Sequence, residues 1–352
     1  MCNIAGYIGT EKAAPILIEM IKRQEGFCGG YYTGISTLHE GEIHSAKVVG
    51  DVGRLLSETD AMNFPGNIGI IHSRSKSGGD WHWGHPFLSN DGKLSVVLNG
   101  DRGKYKSICD VDGAVKLLSE NGFSFETETD EFGRGGDFGR LPNGNFVHAS
   151  EVICQLTDYY MKKENLKTHL ALERAFLRNP SEIVVLALCG KEYGTINYAK
   201  FNMPMTLART ETEVFLSSMS IALPDNRNYI SVAELPAGSS GSITVDKTEM
   251  HWFRSPLEIG RLTPSVMCKA YEAVIGAFAE HKICSVGMLN DAVRGLWEDK
   301  VDLRYPVVYS ILDELKSEDE LEIVESVVSG VNPSVSAVKF EMMLKRIKRG
   351  AE

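Results

Sequence analysis

Two textures divide this chain, and the division constrains its fold more than any single motif. From residue 1 to about 253, short β-type runs alternate with glycine-containing turns and a few helices. After Ser255–Pro256 the pattern turns helical. In the first part, Tyr32–Leu38 and Ile43–Val49 flank His39-Glu40-Gly41-Glu42, which reads as a hairpin turn. Asn67–Ile71, Leu94–Leu98, Ile183–Leu188, Val214–Ser217, Tyr229–Val232 and Ser242–Val245 read as further strands. Ala13–Gln24 is amphipathic, with Ile16, Leu17, Met20 and Ile21 on one face and Pro15 tolerated in the first turn. Val111–Asn121 and Val152–Lys162 are helical by the same test. Many strands with few helices predict an α+β layered domain over 1–253 rather than a βαβ series.

Between Asp130 and the second of those later helices, EFGRGGDFGRLPNGNFV is polar and broken by glycine. It reads as a long surface loop, an insertion over about 131–150. Past Thr263, Pro264–Lys282, Val286–Glu298 and Tyr305–Lys316 are amphipathic helices, Leu321–Val328 is strand-like and Ser334–Arg349 closes as a helix. Residues 263–352 thus form a small helical, winged-helix-like domain in expectation. It carries 11 Lys+Arg against 15 Asp+Glu, and its one basic cluster lies at a helix C-terminus, where the helix dipole alone favours cations. That balance argues against nucleic acid and favours a partner or dimer contact, leaving a homo-oligomer open.

The formal net charge of -10 also argues against general phosphate-backbone binding. No apolar run approaches the ~18–20 residues of a membrane span. The first apolar stretch, Ala13–Ile21, is interrupted by Glu19 and ends in Lys22-Arg23, unlike a signal peptide, which predicts a cytoplasmic protein. The seven cysteines are scattered without a CxxC pair, so neither a zinc site nor a disulfide framework is indicated. His82 and His85 in WHWGHP have no further ligands nearby and read as structural, so no metal or cofactor is expected.

One cysteine stands apart. MCNIAGYIG sets Cys2 directly before an apolar, small-residue strand. Removal of Met1 would place a thiol and a free α-amine on one residue, a nucleophile with its own base. Four segments follow in order: GGYYTGISTLHEGEIHSAKVVGDVGRLL, Ile70-Ile71-His72-Ser73-Arg74 leading into Ser75-Lys76-Ser77-Gly78, Val96-Val97-Leu98-Asn99-Gly100, and GFSFETETD ending at Asp130. Read singly, Asn99-Gly100 is a hairpin signal, and Arg74 and Asp130 are solvated charges.

As an ordered set they resemble the class II, N-terminal-nucleophile glutamine amidotransferases, nearest the glutaminase domain of glucosamine-6-phosphate synthase. That family's N-terminal Cys-Gly-Ile, RGYDSAG, HTRW, Asn-Gly strand end and GYTFxSETD read here CNI, CGGYYTG, HSRS, VVLNG and GFSFETETD. The resemblance implies a four-layer αββα sandwich with two antiparallel sheets between helices. It implies glutamine as substrate, attacked by Cys2, with Asn99 and Gly100 forming the oxyanion hole. Arg74, with Ser77 nearby, would take the substrate α-carboxylate and Asp130 the α-ammonium. The chain departs from the pattern at Asn3, Cys28, Tyr31 and Ser75, which removes a charged pair and a tryptophan near the nucleophile. The roughly ninety residues after the domain are too few for the synthase's two isomerase domains. The expectation is therefore a stand-alone amidotransferase subunit supplying ammonia to a partner synthase. Two alternatives stay open: a non-catalytic glutamine-sensing regulator with a C-terminal interaction or DNA-binding domain, and an N-terminal-cysteine hydrolase of another amide.

Overall fold

The computed structural model of the chain describes residues 2–75, 81–130, 138–297, 300–329 and 336–345. Two antiparallel sheets lie face to face. The first has the order β13 (Ser231–Glu234), β11 (Thr206–Arg209), β12 (Val214–Ser217), β1 (Asn3–Ile8), β4 (Ile68–Arg74), β2 (Tyr32–His39), β3 (Glu42–Val49). The second runs β15 (Thr248–Trp252), β14 (Ser239–Ile243), β10 (Ile196–Lys200), β9 (Glu182–Cys189), β6 (Leu94–Asp101), β5 (Phe87–Leu88). Helices α1 (Ala13–Cys28) and α2 (Val52–Glu58) cover the first sheet, and α4 (Ala149–Lys163) and α5 (Thr168–Arg178) the second, with α3 (Val111–Glu120) packed beside them.

Side-chain alternation along the strands builds these layers. On β1, Ile4 and Ile8 enter the core between the sheets, while Ala5 and Tyr7 face α1. On β9, Val184, Leu186 and Leu188 face the first sheet, and Ile183, Val185, Ala187 and Cys189 face α4 and α5. A strand buried on both faces reads as a continuous apolar run, which is why Ile183–Leu188 lacks polar alternation.

Several sequence expectations need correction. The stretch expected as a surface loop contains a hairpin, β7 (Phe138–Arg140) with β8 (Phe146–His148), and α4 starts directly after it. Phe138, Val147 and His148 are buried, because the hairpin folds back over the domain instead of projecting from it. Residues 131–137 lie outside the described residues. The helix expected over 334–349 is a strand, β17 (Ser336–Leu344), paired with β16 (Leu321–Ser329). Its apolar residues Val338, Phe340, Met342 and Leu344 recur every second position, the β period rather than the helical one. Helix α7 (Val286–Ala292) is shorter than expected and gives way to a 3₁₀ turn, Arg294–Trp297. Helix α1 runs four residues past Gln24, since Phe27 at its end packs into a second core.

That second core belongs to the C-terminal unit. Thr263 caps α6 (Pro264–His281) by accepting from the Val266 amide, and Ser285 caps α7 through the Met288 amide. With α8 (Arg304–Ser317) and the β16–β17 hairpin, these helices enclose Val274, Phe278, Leu289, Trp297, Val308 and Leu312. No helix among the described residues is long and apolar enough to cross a membrane.

Candidate active site

The nucleophile candidate lies where the two sheets meet at one rim. Strand β1 is hydrogen-bonded on both sides, to β4 and β12, and its register sets Asn3 opposite Ser73. Cys2 and Arg74, one residue further on each strand, therefore reach the same edge. Strand β6 of the other sheet ends there with Asn99 and Gly100. His72 ties the sheets together at this point, its Nε2 lying 3.1 Å from the Leu98 carbonyl oxygen. Since that oxygen only accepts, Nε2 carries the proton, and burial holds the ring neutral by pushing its pKa down to about 3.

Asn99 is fully buried and faces Cys2. The Cys2 backbone nitrogen donates to Asn99 Oδ1 at 2.9 Å, which fixes the orientation of the carboxamide. Its Nδ2 is then a buried donor without a hydrogen-bond partner among the described residues. Native proteins rarely leave such a group unsatisfied without a reason, and an oxygen developing negative charge beside Cys2 would satisfy it. Gly100 adopts φ +126°, and a β-carbon there would collide with the Glu182 carbonyl. Only glycine lets β6 turn past β9 at this point. Gly100→Ala is expected to lower unfolding free energy by at least ~2 kcal/mol, read as a fall in the denaturant midpoint.

Arg74 is 4% exposed, and no carboxylate among the described residues pairs with it. Nη1 donates to the Trp83 carbonyl at 2.9 Å, Nη2 lies 3.1 Å from His148 Nε2, and the guanidinium sits 5.1 Å over the Tyr32 ring. Burial depresses its pKa. A buried cation without a counter-ion is costly, which suits a site that awaits an anion. Arg74→Met should accordingly raise unfolding free energy by about 1–3 kcal/mol, measured by denaturant titration.

The other two candidates differ. Asp130 is exposed, and no hydrogen bond or ion pair among the described residues links it to Arg74 or Cys2. Ser77 lies outside the described residues. Ser75 Oγ is 4.0 Å from Cys2 Sγ.

Three residues near the site escaped the sequence reading. Glu25, on the buried face of α1, accepts from Thr33 Oγ1, Ser73 Oγ and the Val52 amide, and burial raises its pKa to about 7. An acid at helical spacing from Ile18 and Ile21 was the available signal. His148 arrives on the unforeseen hairpin. Tyr309 comes from α8, its hydroxyl 3.2 Å from Cys28 Sγ. Burial pushes both groups' pKa upward.

No family profile matches the chain. Over 222 residues, 62% of its length, it is 32% identical to the glutamine–fructose-6-phosphate aminotransferase (isomerizing) of Caldanaerobacter subterraneus subsp. tengcongensis, with 31% of that protein covered. It is 28% identical over 225 residues to the enzyme of the same name from Pyrococcus horikoshii, with 32% of that protein covered. The chain thus spans about a third of the length of these curated relatives. Its fold is similar to that of the glutamine phosphoribosylpyrophosphate amidotransferase of B. subtilis, with a TM-score of 0.58 at 13% identity over 80% of this chain and 58% of that one. Sequence over the shorter stretch is thus similar to that of the glutamine–fructose-6-phosphate aminotransferases, and fold over the longer one to that of the B. subtilis amidotransferase.

Proposed function

We propose that the protein hydrolyses glutamine to glutamate through a Cys2 thioester and passes the ammonia to a partner synthase. The observation that carries this reading is the Asn99 carboxamide, oriented by the Cys2 nitrogen at 2.9 Å with its own donor unpartnered among the described residues. After Met1 is removed, that nitrogen becomes an α-amine with an ordinary pKa of about 7.7–8.0, suited to take the thiol proton near neutral pH. Sγ attacks the glutamine amide carbon, and the carbonyl electron pair moves onto oxygen, held by Asn99 Nδ2 and the Gly100 N–H. The ammonium returns its proton to the leaving nitrogen, ammonia departs and a thioester remains. Water, deprotonated by the same amine, cleaves the thioester to glutamate and the free thiol. Arg74 takes the α-carboxylate, and Asp130 and Ser77 complete the substrate contacts in this proposal.

The proposed domains are 1–253 for the glutaminase and 263–352 for a winged-helix-like unit. Three helices, a hairpin and an antiparallel bridge from Cys284 to Met342 support the latter. Its third helix does not favour the DNA-binding alternative. Asp313 of α8 accepts from the Ser220 and Ile221 amides and Tyr309 meets Cys28, so α8 lies against the first domain. We therefore assign the C-terminal unit to partner docking.

The test is release of ammonia and glutamate from glutamine by the purified protein, with intact mass taken before and after an electrophilic glutamine analogue. Loss of Met1, turnover and an adduct that Cys2→Ala does not form would support the reading. A processed N-terminus with neither turnover nor adduct would turn it towards another amide or a non-catalytic sensor.

A further inference from the structure

Arg74 poses a problem that the proposed reaction leaves unanswered: how a buried guanidinium stays aimed at a substrate with no carboxylate among the described residues to hold it. An acid beside it would neutralise the charge and compete with the substrate's own carboxylate. The structure offers a neutral acceptor instead. His148 is 7% exposed, and its Nε2 lies 3.1 Å from Arg74 Nη2. A guanidinium can only donate, so Nε2 is the unprotonated nitrogen. The ring stacks on Phe87 with centroids 5.9 Å apart and meets the edge of Phe138 at 6.0 Å.

Its backbone is fixed as firmly. The His148 amide donates to Thr127 Oγ1 at 2.8 Å, and Thr127 Oγ1 donates to Glu151 Oε2 at 2.6 Å. Glu151 also accepts the amides of Glu126 and Thr127. The start of α4 and the turn before the inserted hairpin thus clamp the residue. On its other side, Nδ1 faces the Ser150 amide, a second donor, at 3.2 Å. One neutral imidazole has one lone pair to offer in its plane, and the charged Arg74 is the stronger claimant, which leaves Nδ1 protonated and the Ser150 amide without that acceptor. Burial and the neighbouring positive charge of Arg74 keep the ring from protonating. Trp83 completes the arrangement through its carbonyl on Nη1, so the guanidinium plane is set from two sides.

We propose that His148 is a positioning residue, delivered by the β7–β8 hairpin, that holds Arg74 in place for the substrate carboxylate while leaving its charge unneutralised. This rests on the glutaminase reading for its substrate, but not for the contact itself.

Three variants separate the roles: His148→Leu fills the space without an acceptor, His148→Gln restores one, and His148→Glu supplies an anion. Folding of each is checked by circular dichroism and melting temperature. We expect KM for glutamine to rise roughly tenfold or more in His148→Leu, the scale of a hydrogen bond to a charged group, with kcat within about threefold. His148→Gln should recover most of that loss, and His148→Glu should bind glutamine most weakly. An unchanged KM in folded His148→Leu, or equal damage in the Leu and Gln variants, overturns the proposal. A wild-type protein that does not turn over glutamine would sink the glutaminase reading instead. A double-mutant cycle of His148→Leu with Arg74→Met in denaturant unfolding then decides the contact alone, coupled shifts supporting it and additive ones overturning it.

Discussion

Cys2→Ala should fold as the wild type does and release no ammonia from glutamine above background, a loss on the order of 10⁴-fold or more. The side chain is half-buried at the mouth of β1 rather than in the core, so its removal leaves the sheet intact. Cys28, Cys154 and Cys284 are all held protonated by burial, which keeps them poor nucleophiles. Cys268 is exposed and would react with any strong electrophile, so the adduct that matters is the one lost in Cys2→Ala. Ammonia release and intact mass check this together. Residual turnover in the variant would mean that another group carries the reaction.

Asn99→Ala should lower kcat by about 10²–10³ while moving KM for glutamine little. The Nδ2 donor has no partner among the described residues, and in the proposed reaction it gains one as the amide oxygen becomes an oxyanion, so its interaction would favour the transition state over bound substrate. The same substitution frees the Cys2 nitrogen from Oδ1, which loosens the base as well as the hole. Steady-state kinetics with glutamine give the answer. A rise in KM at constant kcat would place Asn99 in substrate binding rather than at the oxyanion.

The structure brings Cys2, Arg74 and Asn99-Gly100 to one rim, and the signals that singled them out in the sequence are local. Cys2, Arg74 and Asn99-Gly100 each lie at or beside the end of a short buried strand, and each is marked by a chemically specific neighbour within a few residues. The strand and helix pattern predicted an α+β layered domain, while the αββα arrangement was what the resemblance implied, and two facing antiparallel sheets flanked by helices agree with it. Asp130 is not brought to that rim by any hydrogen bond or ion pair among the described residues. Its place depends on a hairpin whose strands are three residues each, too short for a periodic signal to emerge. The closing strand was misread because the Val338–Leu344 alternation adjoins the basic stretch Lys345–Arg349, which suggested a helix end.

By itself the sequence determined most of the sheet-forming runs of the first domain and the order of the chemical groups along them. Those follow from side-chain period and local backbone freedom, which act over a few residues. Tertiary structure alone decided that His148 faces Arg74 across 74 positions and that Tyr309 reaches Cys28 across 281. Contacts of that span arise from how layers and units pack, and residue type along the chain carries no signal for them until the surfaces meet.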